Sequence, residues 1–161
     1  LKNWLEKADS HIGVIVNDVA AVNVDAELVK SQTTSDVGGR IDTIQLENGC
    51  VCCSSGQELV FSVIDLFKLC PGDDPFSHVV VELSGVAEPA RVIENVDALR
   101  MKPKVVTLVD ASTFCLEYME YKRLDERPDL MGEEHAHMID TKVVELLVEQ
   151  IEAADIVVLN K

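Results

Sequence analysis

The sequence predicts an α/β fold: a doubly wound, mainly parallel sheet with helices on both faces. Three observations carry this expectation. Four short runs rich in β-branched residues, HIGVIVN (11–17), HVVVEL (78–83), KVVTLV (104–109) and DIVVL (155–159), are nearly continuous in hydrophobicity and closed by polar or small residues. That pattern suits parallel strands buried on both faces. Helix-period segments lie between the runs, as crossover connections require. Hydrophobic residues make up 47% of the chain and the mean hydropathy is +0.13, high values that strands buried on both faces would produce.

Taken in order, the first run ends on Asn17-Asp18, and the Gly38-Gly39 pair marks residues 37–40 as an exposed loop. A weaker strand is expected at Asp42 to Leu46. Ser55 to Leu69 reads as a helix with Leu59, Val60, Val63, Ile64 and Phe67 on one stripe, and with Ser55 and Glu58 spaced as a capping box. Pro89 to Met101 opens on a proline suited to a first helical turn and repeats apolar residues at Val92, Val96 and Leu99. Tyr118 to His137 is charged and irregular, broken by Pro128 and Gly132, and reads as a flexible loop. Thr141 to Ala153 is the clearest helix, with Val143, Val144, Leu147 and Ile151 facing inward. The 161 residues suit one domain with a real core.

Composition narrows the partners. With 29 acidic against 14 basic residues the formal net charge is −15. Most of the surface would repel a polyphosphate backbone, so nucleic acid is not expected as a ligand. A mononucleotide remains compatible, because backbone amides and a few local charges can hold one. No apolar run approaches the ~18 residues of a membrane span, and no membrane partner is expected. The five cysteines are odd in number and clustered, which argues for a reducing compartment over a disulfide scaffold. An intracellular, cytoplasmic location is expected, with a plastid as the alternative.

Three cysteines, Cys50, Cys52 and Cys53, fall within the segment GCVCC. Neighbouring cysteines make strained bridges, whereas three thiolates at one turn suit a soft metal such as zinc. The competing reading is a buried strand end where cysteine acts as a small hydrophobe, and Cys70 and Cys115 fit that description. His135 and His137 follow Glu133-Glu134; alternate histidines beside carboxylates can chelate zinc or nickel, although a solvated loop explains them better. His11 and His78 are read as residues that open their strands.

Ligands of parallel sheets bind beyond the carboxyl ends of strands. Polar groups stand at four such ends: Asn17-Asp18, Glu82 to Gly85, Asp110 and Asn160-Lys161. A carboxylate such as Glu82 can hold a Mg²⁺ water or position an attacking water, and Gly85 lets a backbone amide approach a terminal phosphate. The same residues also fit a capped strand-to-helix turn. The Asn160 amide can both donate and accept, which suits a purine edge, and the stem of Lys161 can lie over a base.

Together these segments resemble the CobW-type GTPases, metallochaperone relatives of the HypB and UreG nickel-insertion GTPases. HIGVIVNDVAAVNVDAELV (11–29) is similar to the family's strand and switch region, and LENGCVCC (46–53) to its C-x-C-C metal motif. VVVELSGVAEP (79–89) matches its E-x-S-G-x-A-x-P stretch, VVTLVDA (105–111) its next strand, and LVEQIEAADIVVLNK (147–161) the approach to its guanine-specificity motif. The resemblance implies a P-loop GTPase-like core spanning residues 1–161, with GTP, Mg²⁺ and Zn²⁺ as cofactors and a client metalloprotein as partner. It implies that Cys50, Cys52 and Cys53 hold metal and that Glu82 acts catalytically. It further implies that Asn17, Asp18, Glu82, Gly85, Asn160 and Lys161 bind the nucleotide.

The departures are as specific. No G-x-x-x-x-G-K-[ST] occurs in the chain, so the phosphate-cradling loop is missing from it. Leu1 to Asp9 resembles the end of the helix that follows that loop, and the aspartate of N-K-x-D falls beyond Lys161. The chain reads as an internal fragment of a GTP-hydrolysing metal chaperone, inactive in hydrolysis without that loop. Val19-Ala20-Ala21 stands where many relatives carry Phe-Gly-Glu. The rival readings are a non-catalytic zinc-binding module, a thiol-redox protein and a pseudoenzyme scaffold; the triplet lacks the C-x-x-C spacing of the redox class.

Overall fold

The structure is a computed structural model and describes residues 10–17, 41–46, 57–70, 72–130 and 137–161. It is mixed α/β with parallel strands. The described elements are β1 (Ile12–Asn17), β2 (Ile41–Leu46), α1 (Gln57–Leu69), β3 (His78–Glu82), α2 (Pro89–Asp97), β4 (Val106–Asp110), α3 (Phe114–Met119), α4 (Val143–Glu152) and β5 (Ile156–Asn160), with a 3₁₀ turn at Leu124–Glu126. These strands hydrogen-bond as two parallel sheets, ordered β2-β1-β3 and β4-β5. The described residues divide accordingly into two compact units, those up to Ser84 and those from Gly85 onward.

In the first unit β1 is the central strand, pairing Ile12 with Ile41 on one side and with His78 on the other. Its residues Ile12, Val14, Ile15 and Val16 are all buried, as a strand covered on both faces requires. Helix α1 packs on β1 and β2 through Leu59, Val63 and Leu66, which are buried, whereas Ile64 and Phe67 are exposed. The inward stripe therefore runs i, i+4, i+7 from Leu59, rotated from the expected one. Gly13 explains the close approach: a Cβ there would meet Leu66 Cδ2 at 2.7 Å.

His11 does more than open its strand. It is buried; Nδ1 donates to the Asp74 carbonyl at 2.7 Å, and Nε2 lies 2.9 Å from Asp42 Oδ2. Its ring packs at 4.4 Å on Phe76. The Ser77 amide donates to the His11 carbonyl at 2.8 Å, so the entry to β3 is fastened to the entry to β1.

The second unit has its core under α4. Val86, Leu124, Met138, Val143 and Leu146 form one buried cluster, with Leu130 and Leu147 against it. Val143 faces inward as expected, joined by Leu146, while Val144, Leu147 and Ile151 are half-buried. Pro89 stands at the start of α2, with Val92 and Val96 buried, but the helix ends at Asp97 rather than near Met101. Strands β4 and β5 correct the expectation of burial on both faces. Leu108 is 71% exposed and Leu159 70%, and every residue of β5 is accessible. A two-stranded sheet has too few crossovers of its own to cover both faces.

The segment expected as an irregular loop, Tyr118 to His137, begins on the last residues of α3 and carries the 3₁₀ turn. Arg127, with only 14% of its side chain exposed, organises it. Its Nε and Nη2 grip Asp129 at 2.9 and 2.8 Å, and Nη1 reaches Glu120 at 3.3 Å and also Glu117. These carboxylates hold the guanidinium firmly in its charged form. Leu124, fully buried, anchors the turn from below.

Candidate nucleotide site

The strand pairing decides which of the expected groups meet. At the carboxyl edge of the first sheet Asn17 and Glu82 terminate neighbouring strands, with Val16 paired to Glu82. Glu82 is half-buried there. Asp18 lies outside the described residues, as do Cys50, Cys52, Cys53 and His135. Among the described residues no group of three or more histidine, cysteine or carboxylate side chains could hold a metal ion.

At the carboxyl edge of the second sheet Asp110 pairs in register with Asn160. The Ala111 amide donates to the Asn160 carbonyl at 2.9 Å, which extends the pairing past the strand end. At the opposite end the Val105 amide donates to Asp155 Oδ2 at 2.8 Å, fixing the register. Lys161 Nζ donates to Asp110 Oδ2 at 2.7 Å, and the Ser112 hydroxyl and amide donate to Oδ1 at 2.6 and 3.0 Å. The Lys161 ammonium first, then the Ser112 hydroxyl, holds the Asp110 carboxyl down at about 2. Asn160 and Lys161 are exposed, and so is Gly85. A Cβ on Gly85 would meet nothing within 4 Å, so the space before this backbone is open enough for a phosphate to approach.

A cavity of about 190 Å³ is lined by Gly85, Asp110, Thr113, Glu117 and Gln150 among others. It is smaller than the ~300–1,000 Å³ of ordinary ligand pockets. Gln150 is the residue that sequence reasoning passed over. Its Nε2 donates to the carbonyls of Gly85 and Ala87, each at 3.0 Å. The available signal was a neutral amide within a helix otherwise built of apolar and acidic residues.

The remaining candidates stand apart. His137 Nε2 is 4.0 Å from Glu88 Oε2, and His78 is exposed beside the Ser77 hydroxyl. Cys70 is half-buried, with Sγ 3.4 Å from the Asp74 carbonyl, and Cys115 is exposed on α3. Neither is a buried hydrophobe at a strand end, which corrects that reading.

An α/β chain of parallel strands with polar groups at their carboxyl ends has the architecture in which such sheets bind ligands. The family described as "CobW/HypB/UreG, nucleotide-binding domain" matches residues 1–161, and the chain belongs to it. The zinc-regulated GTPase metalloprotein activator 1 of Dictyostelium discoideum is 28% identical over 93% of this chain and 34% of its own length. A zinc chaperone CobW of Sinorhizobium is 29% identical over 100% of this chain and 46% of its own length. The Escherichia coli zinc chaperone YjiA is 37% identical over 52% of this chain and 24% of its own length. The chain thus spans less than half of each of these relatives. No solved structure matches it.

Proposed function

We propose that this chain is the nucleotide-binding part of a GTP-hydrolysing zinc chaperone whose metal affinity follows its nucleotide state. The observation that carries the reading is the Asp110–Asn160–Lys161 edge, found in a chain whose relatives are named zinc chaperones and a zinc-regulated GTPase activator. Asn160 and Lys161 contact the guanine, the amide as donor and acceptor and the lysine stem against the ring. Asn17 and Asp18 belong to the switch region. Gly85 presents backbone to the terminal phosphate, and Glu82 orients the attacking water.

A half-buried carboxylate such as Glu82 fits a hard divalent cation, and Mg²⁺ held there would neutralise charge developing on the phosphates. Zinc is cargo, held by Cys50, Cys52 and Cys53. Three thiolates leave one of zinc's usual four positions for a further ligand, from the switch region or from a client metalloprotein. Phosphate contacts would order a switch loop that completes the metal shell, and hydrolysis, by releasing that loop, would weaken it.

The test is equilibrium binding of Mg²⁺-GTP and of Mg²⁺-ATP to the chain expressed with its native flanking sequence. GTP is expected to bind at least tenfold more tightly, about 1.4 kcal/mol, and Asn160→Ala is expected to erase that preference. Equal affinity for the two nucleotides would refute the guanine assignment.

A further inference from the structure

Gln150 spends both hydrogens of its side-chain amide on one turn. The carbonyls of Gly85 and Ala87 each accept from Nε2 at 3.0 Å, which exhausts the donor capacity of that nitrogen. The helix turn carrying Gln150 is itself fixed, because its own carbonyl accepts the Thr107 hydroxyl of β4 at 2.7 Å. One turn earlier on α4, Leu146 packs in the same cluster as Val86. The segment from Gly85 to Ala87 is therefore held to α4 by a side-chain clamp and by a buried valine.

The clamp has a directional consequence. In a planar trans peptide the carbonyl and the following N–H point to opposite sides, and the described peptides contain no cis bond. Holding the carbonyls of Gly85 and Ala87 on Gln150 thus aims the N–H groups of Val86 and Glu88 away from α4. Gly85 supplies no conformational restraint of its own: its φ is outside the left-handed region and nothing lies within 4 Å of a built Cβ. A residue this free to turn needs an external partner to stay in one orientation.

We infer that Gln150 is a positioning residue that sets the Gly85–Ala87 turn for the terminal phosphate of a nucleoside triphosphate. It couples that turn to α4, the helix leading into Asn160 and Lys161. The inference rests on the guanine-nucleotide reading above and adds to it the residue that makes the site sense the third phosphate. Preoriented donors discriminate better than mobile ones, because no reorganisation accompanies binding.

The experiment measures Kd for a non-hydrolysable GTP analogue with Mg²⁺ and for GDP. It compares wild type, Gln150→Met and Gln150→Glu, each expressed with its native flanking sequence and checked by thermal melting. Methionine keeps length and helix propensity without donors, and glutamate sets oxygens against the two carbonyls, so either variant suffices if the other does not fold. The expected result is about tenfold weaker binding of the triphosphate analogue with GDP affinity within about twofold, in the usual range of coupling between sites. Equal weakening of both nucleotides would make Gln150 merely structural and overturn the inference, as would an unchanged ratio. Wild type that binds neither nucleotide would instead remove the guanine-nucleotide reading, and the inference with it.

Discussion

Asp110 shows how much a single carboxylate reveals at the site. Its pKa is pushed to about 2 from the ordinary 3.8 by Lys161 and Ser112. A depressed folded-state pKa stabilises the fold above the unfolded-state value, and that contribution is lost as pH falls from about 4 through about 2. Carboxyl NMR is expected to find the Asp110 midpoint near 2 in wild type and closer to 3.8 in Lys161→Met. An unmoved midpoint would show that the ammonium is not the cause. The candidate groups at strand ends were legible because a parallel sheet places them by topology alone. Gln150 and the environment of His11 were not, because both depend on carbonyls far away in sequence, Gly85 and Asp74 respectively.

At the scale of elements, two packing arrangements can be tested. Gly13→Ala places a methyl 2.7 Å from Leu66 Cδ2, and Leu66 is fully buried with little room to withdraw. Overpacking of this kind costs ~1–3 kcal/mol, to be read by urea denaturation; a change below ~0.5 kcal/mol would show that α1 yields freely. Arg127→Lys keeps the charge and loses the forked grip on Asp129 and Glu117. The variant is expected to be less stable by ~1–2 kcal/mol, with faster hydrogen exchange across residues 114–130. Unchanged exchange would mean that Leu124 alone holds the segment. Strand positions were readable from continuous β-branched runs, each found within two residues of its expected bounds. The phase of α1 was not, because Leu59, Val60, Val63, Ile64, Leu66 and Phe67 offer two overlapping stripes and only the sheet beneath selects one. The order in residues 114–130 was hidden because a half-buried arginine looks in sequence like any surface charge.

For the whole molecule, the sequence motifs and the family match agree on a nucleotide-binding domain. The α/β class was legible because alternating strands and helices leave few other arrangements. The pairing of the described strands into two sheets was not, since hydrophobicity identifies a strand without naming its neighbour. Charge supports a small anionic ligand over a polymer, because a net −15 tolerates one nucleotide at a local edge and opposes a long phosphate backbone. Whether zinc on the cysteine triplet answers to the nucleotide is decided by one titration. Zinc is titrated anaerobically against a chromophoric chelator, with Mg²⁺-GTP and with Mg²⁺-GDP, into the chain with its native flanking sequence and into its Cys50, Cys52 and Cys53 triple serine variant. Tight one-to-one binding that requires the cysteines and weakens at least fivefold when GDP replaces GTP is the expected result. Binding that is independent of the cysteines, or indifferent to the nucleotide, would contradict it.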